Sequence, residues 1–210
     1  MTSCNICGDS TFLAGPFGRM SFGGRPPRCA TCSSLERHRA MRKTLDRMDA
    51  REQFSTYRLI RFSPDPTVED AWFQSAETSI YEGDNSLDIQ SIDRDDGAYD
   101  VVMCSHVLEH VKDDKQALRE LVRILSPHGF LVMAVPHTED NAVTDDWGFA
   151  DPAKNLHYRA YGRDFDTRIA SIVTPAYAFS LAPTDPVTGD LKRFKIITKS
   201  DFWRDRVKAL

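Results

Sequence analysis

Glycine is absent from about a quarter of this chain. None of the 11 glycines in its 210 residues falls between residues 31 and 82. That excludes from this stretch the Gly-x-Gly turn that lets backbone approach a ligand without a Cβ in the way. Long apolar runs are missing too, and none approaches the roughly 18 residues that a membrane span requires. Residues 1–10 have neither a basic start nor an apolar core, so no secretory signal is expected and the expected location is the cytoplasm. No internal repeat and no low-complexity segment is present. Cysteine is scarce, five in all.

The rest is ordinary globular material, with 41% hydrophobic and 28% charged residues. It suffices for one medium domain with a small appendage. The net charge of −4 conceals an asymmetry. Residues 1–58 hold ten Lys/Arg against five Asp/Glu, whereas the other 152 residues carry a net −9. A basic end on an acidic body signals an acidic partner or a solvated face, and at this size the solvated face is expected.

Four of the five cysteines form Cys4-x2-Cys7 and Cys29-x2-Cys32. Each pair can grip a metal from one tight turn, and two such turns close a tetrahedral four-thiolate shell with bonds of about 2.3 Å. The 21-residue spacer holds Gly15-Pro16, Gly18, Gly23-Gly24 and Pro26-Pro27, which form turns and not helices. A closed shell is structural, and two disulfides would not persist in a reducing cytosol. The expected module is a zinc ribbon or knuckle over residues 1–34 whose fold depends on Zn2+.

Ser33-Ser34-Leu35-Glu36 has the form of a capping box, and a helix to about residue 51 is predicted after it. Leu35, His38, Met41, Leu45 and Met48 share one face; Arg37, Arg39, Arg42, Lys43 and Arg47 give the helix its charge. Those cations suit phosphates of a nucleic acid or a nucleotide-linked substrate, or simply a solvated outer face, which is the preferred reading. His38 is expected to pack or cap, since four cysteines complete a zinc shell. Residues 35–54 thus read as a basic linking helix to a domain of residues 55–210.

The organising stretch is residues 99–136. Tyr99 to Met103 is a short β-branched apolar run, the pattern of a strand buried on both faces. Asp113 or Asp114 can cap a helix whose apolar face is Ala117, Leu118, Leu121, Val122 and Leu125. Ser126-Pro127-His128-Gly129 ends it, with glycine taking a left-handed turn. Phe130 to Val135 is a second buried strand. Strand, helix and strand make a βαβ unit, so a parallel sheet covered by helices is expected.

This run resembles the second half of class I S-adenosylmethionine (SAM) dependent methyltransferases, of the type 11 kind. Tyr99-Asp100-Val101-Val102, Val107-Leu108-Glu109-His110-Val111, Leu118-Arg119-Glu120-Leu121 and Gly129 fill that family's pattern over its fourth strand, helix and fifth strand. The resemblance implies an α/β, Rossmann-like seven-stranded sheet with helices on both faces, alongside the N-terminal zinc-binding module. It also implies a SAM site at the carboxyl rim of the sheet.

Residues 57–62 read as the first strand. Where the family places Gly-x-Gly, this chain has Phe62-Ser63-Pro64-Asp65-Pro66, which resembles a Pro-rich variant of that turn. The two prolines fix its shape, and Ser63 and Asp65 are placed to hydrogen-bond the amino acid end of SAM; a degenerate site is the alternative. Thr67 is expected to cap a short helix through Val68, Trp72 and Phe73, and residues 78–81 to form a second strand. By resemblance Glu82, with Asp84 second, grips the ribose hydroxyls. Asp88 accepts from the adenine amino group, and Ile89 lies on the ring. A plain surface-loop Asp or Glu is the alternative for these acids.

Cys104, Ser105 and His106 end the fourth strand beside the cofactor, Cys104 as a small buried residue. His106 and His110 bracket Glu109 at a spacing that suits a metal pair on a helix, but the family signature is preferred, with His106 as a candidate general base. Residues 137–155, with Trp147 and Phe149, read as a lid or substrate loop. His157-Tyr158-Arg159-Ala160-Tyr161-Gly162-Arg163-Asp164-Phe165 resembles a segment that approaches the transfer site in small SAM methyltransferases. His157 and Tyr158 become catalytic candidates, and Trp147, Arg159 and Arg163 substrate-binding ones; the alternative is a cap, with Asp164 capping a helix. Residues 173–180 and 193–198 read as an antiparallel pair closing the sheet.

The expected function is O- or N-methylation of a small-molecule or saccharide acceptor, with no membrane partner. Two alternatives stand beside it. One is an RNA or protein methyltransferase whose basic zinc module grips the polymer; the other is a non-catalytic methyltransferase-like scaffold, argued from the missing Gly-x-Gly.

Overall fold

The computed structural model describes residues 2–136, 140–174 and 176–210. Two short strands, β1 (Phe12–Leu13) and β2 (Arg28–Cys29), pair antiparallel with Phe12 opposite Cys29. Each cysteine pair lies on a tight turn, closed by Gly8 N–H to the Cys4 carbonyl at 2.8 Å and Ser33 N–H to the Cys29 carbonyl at 3.1 Å. Helix α1 (Glu36–Arg47) follows. Its start departs from the expected capping box. Leu35 is the N-cap, and its N–H donates to His38 Nδ1 at 3.1 Å. Ser33 stands outside with φ +57°, while Glu36 is held by both guanidinium arms of Arg19 at 2.7 Å. A single short turn, α2 (Arg51–Phe54), completes the segment.

Six strands form the central sheet: β3 (Arg58–Phe62), β4 (Ser75–Ser79), β5 (Tyr99–Ser105), β6 (Leu125–Ala134), β9 (Tyr177–Leu181) and β10 (Phe194–Thr198). Their order is β4-β3-β5-β6-β10-β9, parallel through β6 and antiparallel for the last two. The βαβ unit lies where the sequence places it, with α3 (Asp114–Ile124) capped by Asp113, whose carboxylate accepts from Gln116 N–H at 2.9 Å. The helix ends differently. Gly129 is not left-handed; residues 126–129 bulge inside the paired region of β6, and a Cβ there would sit 2.0 Å from the Asp100 carbonyl oxygen. Close backbone approach, not a left-handed turn, requires this glycine.

Helices cover both faces. On one, α3 and α4 (Phe165–Val173) bury Leu118, Leu121, Phe165 and Ile169 against Ile60, Val102, Leu131 and Ile197. On the other, α1, α2 and α5 (Asp201–Lys208) bury Met41, Leu45, Phe54 and Trp203 against Leu59, Val101, Phe130 and Ile196. The 35–54 segment is therefore part of the sheet's own core.

Three expectations need correction. The sheet has six strands among the described residues, because residues 80–98 run in turns and Ile89 and Ile92 drop into the core. The strand expected at 78–81 lies at Ser75–Ser79; Ile80 and Tyr81 are exposed, Tyr81 at 83%. No α-helix follows Thr67, only a 3-10 turn over Asp70–Trp72, since α1 and α2 already occupy that face and receive Val68 and Phe73. Within the expected 137–155 loop and 173–180 strand, residues 137–139 and Pro175 lie outside the described residues. From Asp145 onward the loop is a hairpin, β7 (Asp145–Asp151) against β8 (His157–Ala160).

Arg39 and Arg42 of α1 are not on a solvated face, although Arg47 is exposed. Arg39 is 0% exposed and forms a two-armed pair with Asp185, 2.8 Å on each arm, plus a bond to the Ser34 carbonyl. Arg42 is buried on the Thr67 carbonyl at 2.7 Å. With Arg25 Nη1 on the Val187 carbonyl at 3.1 Å, these contacts fasten the N-terminal module to residues 185–190.

Candidate active site and zinc centre

The four thiol sulfurs of Cys4, Cys7, Cys29 and Cys32 lie within 4.8 Å of one another, with Cys4 to Cys32 at 3.7 Å and Cys7 to Cys29 at 3.5 Å. Tetrahedral zinc with bonds of about 2.3 Å spaces its sulfurs by roughly 3.8 Å, so this donor set fits the ion without rearrangement. Ser34 Oγ stands 3.3 Å from Cys4 Sγ and 3.2 Å from Cys32 Sγ, a donor of the kind that supports thiolate charge. The shell leaves no open position for a reactant.

A narrow cleft of about 20 Å³ opens at the carboxyl ends of β3 and β5, lined by Arg37, His38, Phe62, Ser63, Pro64, Asp65, Met103 and Ser105. The chain turns out of β3 at Ser63 with φ +98°. That is glycine territory, held here by a serine whose N–H donates to the Ser79 carbonyl at 2.9 Å. The backbone therefore follows a glycine-like path although no glycine is present. Asp65 Oδ1 accepts from Thr67 N–H at 2.8 Å, and its carbonyl accepts from Arg61 at 3.0 Å, fixing the turn from below.

Two partnerless polar atoms are buried here, Ser105 Oγ and Arg37 Nε. Such atoms cost free energy unless a ligand meets them. Burial pushes the Arg37 guanidinium below its ordinary range, with Asp65 acting to raise it again. Burial likewise lowers His38 to about 4, so this imidazole is neutral at pH 7. Arg37 and His38 are the residues sequence reading did not place in the site. Only their position on α1, directly above the strand tips, reveals them. A guanidinium N–H and a hydroxyl suit an anionic or hydroxyl-bearing ligand group.

The other expected cofactor residues scatter. Phe62 is buried in the core beneath the cleft, and Pro64 is on its wall. Glu82 and Asp84 lie in the exposed turns three and five residues past the end of β4. Asp88 is exposed and accepts from Gln90 N–H at 2.8 Å, while Ile89 is packed in the core and presents no face to a ring.

On the acceptor side, His106 follows β5 with φ +57°, its N–H bound to the Ala134 carbonyl at 2.8 Å and Nδ1 3.5 Å from Glu109 Oε1. Glu109 and His110 sit on a 3-10 turn, Leu108–His110, not on an α-helix. Arg159 is 1% exposed, and its guanidinium bonds Asp146 at 2.8 Å and the carbonyls of Val111 and Lys112 at 2.7 and 2.6 Å. It is thus a clamp between the β7–β8 hairpin and the 108–112 turn, with no arm left for a substrate. Trp147 Nε1 donates to the His157 carbonyl at 2.9 Å, and Lys154 lies over the Trp147 ring. Tyr158 is half-buried on the same hairpin. Asp164 is the N-cap of α4, its carbonyl accepting from Arg168 N–H at 2.9 Å, but its carboxylate makes no capping bond and accepts instead from Thr144 N–H and Oγ1, each at 2.8 Å. Arg163 lines a separate, wider cleft of about 290 Å³ with Phe165, Asp166, Leu181, Arg193 and Lys195.

A sheet parallel from β4 to β6, with two antiparallel strands at one edge, helices on both faces and a cleft at the carboxyl tips of adjacent parallel strands, is the Rossmann-like architecture shared with the methyltransferase structures below. Residues 48–133 match the family model described as a methyltransferase domain. Among solved structures, the chain is similar to Burkholderia thailandensis 1,6-didemethyltoxoflavin-N1-methyltransferase bound to its namesake compound and S-adenosylhomocysteine. That likeness has 14% identity over 77% of this chain and 79% of that one, with TM-score 0.50. It is also similar to the [4+2]-cyclase SpnF (12%, covering 76% and 81%, TM-score 0.49). A third likeness is to a chain of the complex between the Haloferax volcanii Trm112 methyltransferase activator and a methyltransferase (11%, covering 77% and 90%, TM-score 0.48). Among curated proteins no relative matches. No helix among the described residues is long and apolar enough to cross a membrane.

Proposed function

We propose that this protein transfers the methyl group of SAM to an oxygen or nitrogen of a small-molecule acceptor, with a saccharide among the candidates. The observation that carries this is the Ser63 turn. It keeps a glycine-like backbone under a cleft whose buried donors, Arg37 and Ser105, lack partners. In this reading Arg37 binds the carboxylate of SAM, Asp65 its ammonium, and Ser105 a hydroxyl. Bound SAM supplies a methyl already made electrophilic by its sulfonium. The chain's own task is alignment, exclusion of water and removal of one proton.

His106 is placed for the proton, at the strand end next to the cleft, with Glu109 orienting its imidazole. His157 and Tyr158 are the other candidates, on the β7–β8 hairpin that Arg159 ties to the 108–112 turn and whose backbone Trp147 holds. Arg163, in the wider cleft, would contact a larger acceptor. Glu82 and Asp84 reach the ribose only if the 80–86 turns fold inward on binding. A tetrathiolate zinc centre suits a reducing, cytoplasmic setting.

The polymer-binding reading loses its main residues, because Arg39 and Arg42 are committed inside the protein. Calorimetric titration with SAM tests the proposal. Wild-type protein is expected to bind it, and Arg37→Met and Asp65→Asn to weaken binding at least about tenfold, each losing a charged hydrogen bond. No heat and no thermal shift with wild type would favour the scaffold reading instead.

A further inference from the structure

Beside the cleft, and unused by cofactor binding, three side chains converge from two elements. Glu109 and His110 come from the turn after β5, and His157 opens β8. One carboxylate oxygen of Glu109 and one nitrogen of each imidazole lie within 4.8 Å of one another. The two imidazole rings meet edge to face, 4.6 Å between centroids. Glu109 is 1% exposed, and its Oε2 has no hydrogen-bond partner. A buried carboxylate oxygen without a donor is costly, and a cation in the triangle would satisfy it.

We propose that Glu109, His110 and His157 bind a divalent transition-metal ion of the zinc type. The donor set, two imidazoles and one carboxylate, is the composition of sites that keep a coordination position open. Bonds of about 2.0–2.1 Å at tetrahedral angles place such donors roughly 3.4 Å apart, so the triangle must draw in slightly. His110 is exposed and can swing to do so. The backbone on either side is already held. Arg159 ties β8 to the Val111 and Lys112 carbonyls, Trp147 holds the His157 carbonyl, and Tyr161 donates to Asp114 at 2.9 Å. This arrangement pre-positions residues 47 apart in sequence.

The helical pairing of His106 with His110 is not what forms. His106 turns to Glu109 Oε1, and the second imidazole comes from the hairpin instead. If the methyl-transfer reading holds, on which this consequence rests, the open position would be available to the acceptor. There the ion would polarise an acceptor oxygen and favour loss of its proton, which points to a hydroxyl-bearing acceptor able to ligate.

The test uses the full chain with zinc already in the cysteine centre, titrated with Co2+. Wild type is expected to take up one equivalent with d–d absorption and no thiolate-to-metal charge-transfer band. His110→Ala and His157→Gln are each expected to weaken that uptake by at least about tenfold, with circular dichroism unchanged for the exposed His110 variant. Absence of Co2+ uptake by wild type beyond the metal in the cysteine centre, or uptake by both variants equal to that of wild type, overturns the proposal. Calorimetry with SAM on the same zinc-loaded samples reports the cofactor reading independently, so failure of one is distinguishable from failure of the other.

Discussion

Ser63 carries a left-handed φ of +98° without being glycine, and strain of this kind costs on the order of 1–3 kcal/mol. A β-branched side chain tolerates it least. Ser63→Val is expected to lower stability by about 2 kcal/mol, whereas Ser63→Gly stays within about 0.5 kcal/mol because relief of strain offsets the entropy of glycine. Urea unfolding of both variants measures the difference. His38 offers a second test at this scale. Its imidazole is neutral and buried, accepting from Leu35 N–H, with burial lowering it to about 4. The unfolded chain binds a proton near pH 6.5 and the folded chain only near 4, so this contribution is complete above about 6.5 and is lost as pH falls toward 4. His38→Asn keeps an acceptor that does not titrate. Its unfolding free energy is therefore expected to fall less steeply than that of wild type between pH 7 and 4.5, with zinc present in both. Equal slopes would contradict the assignment. The strain at Ser63 was not legible in sequence, because a strained serine looks like any serine. His38 was legible as a packing or capping residue, which it is; its place beside the cleft was not, because that depends on the strand tips beneath it.

Among elements, the βαβ unit of β5, α3 and β6 was the most legible part, since a strand buried on both faces and an Asp-capped amphipathic helix each leave a periodic record. The cysteine turns were legible for a similar reason, as ligand spacing is local. Strand β4 was not. Ser-Ala-Glu-Thr-Ser is polar because an edge strand buries little, and its Glu77 pairs with Arg94 and Tyr99 instead of a core. The arginines of α1 misled for another reason: a guanidinium reads as solvated until its partner is known, and Asp185 lies 146 residues from Arg39. That pair is fully buried, so removing one member leaves an uncompensated charge, costing about 3–5 kcal/mol. Arg39→Met and Asp185→Leu are each expected to lose that much in denaturant unfolding, and the double variant less than their sum. Strict additivity would show that the two side chains are not coupled.

For the whole molecule, the N-terminal module and the sheet domain are tied by the Arg39–Asp185 pair and the Arg25–Val187 contact, which would couple their stabilities. Helix α1 begins next to the four-cysteine cluster, buries Met41 and Leu45 in the sheet's core, and presents Arg37 and His38 to the cleft. Sequence reading divided the chain at the helix; packing joins it. Stripping zinc with a chelator is therefore expected to weaken SAM binding as well as to unfold residues 2–34, because the start of α1 loses its anchor. Calorimetry before and after chelation, with zinc restored as control, measures this; unchanged SAM affinity in the stripped protein would mean that the module is independent of the site. The proposed cradle for SAM is the serine-proline turn at the tips of β3 and β5. A crystal structure grown with S-adenosylhomocysteine tests it, with the ligand's carboxylate expected on Arg37 and its chain over Ser63 and Ser105. Protein side chains filling that cleft in the presence of saturating ligand would contradict it.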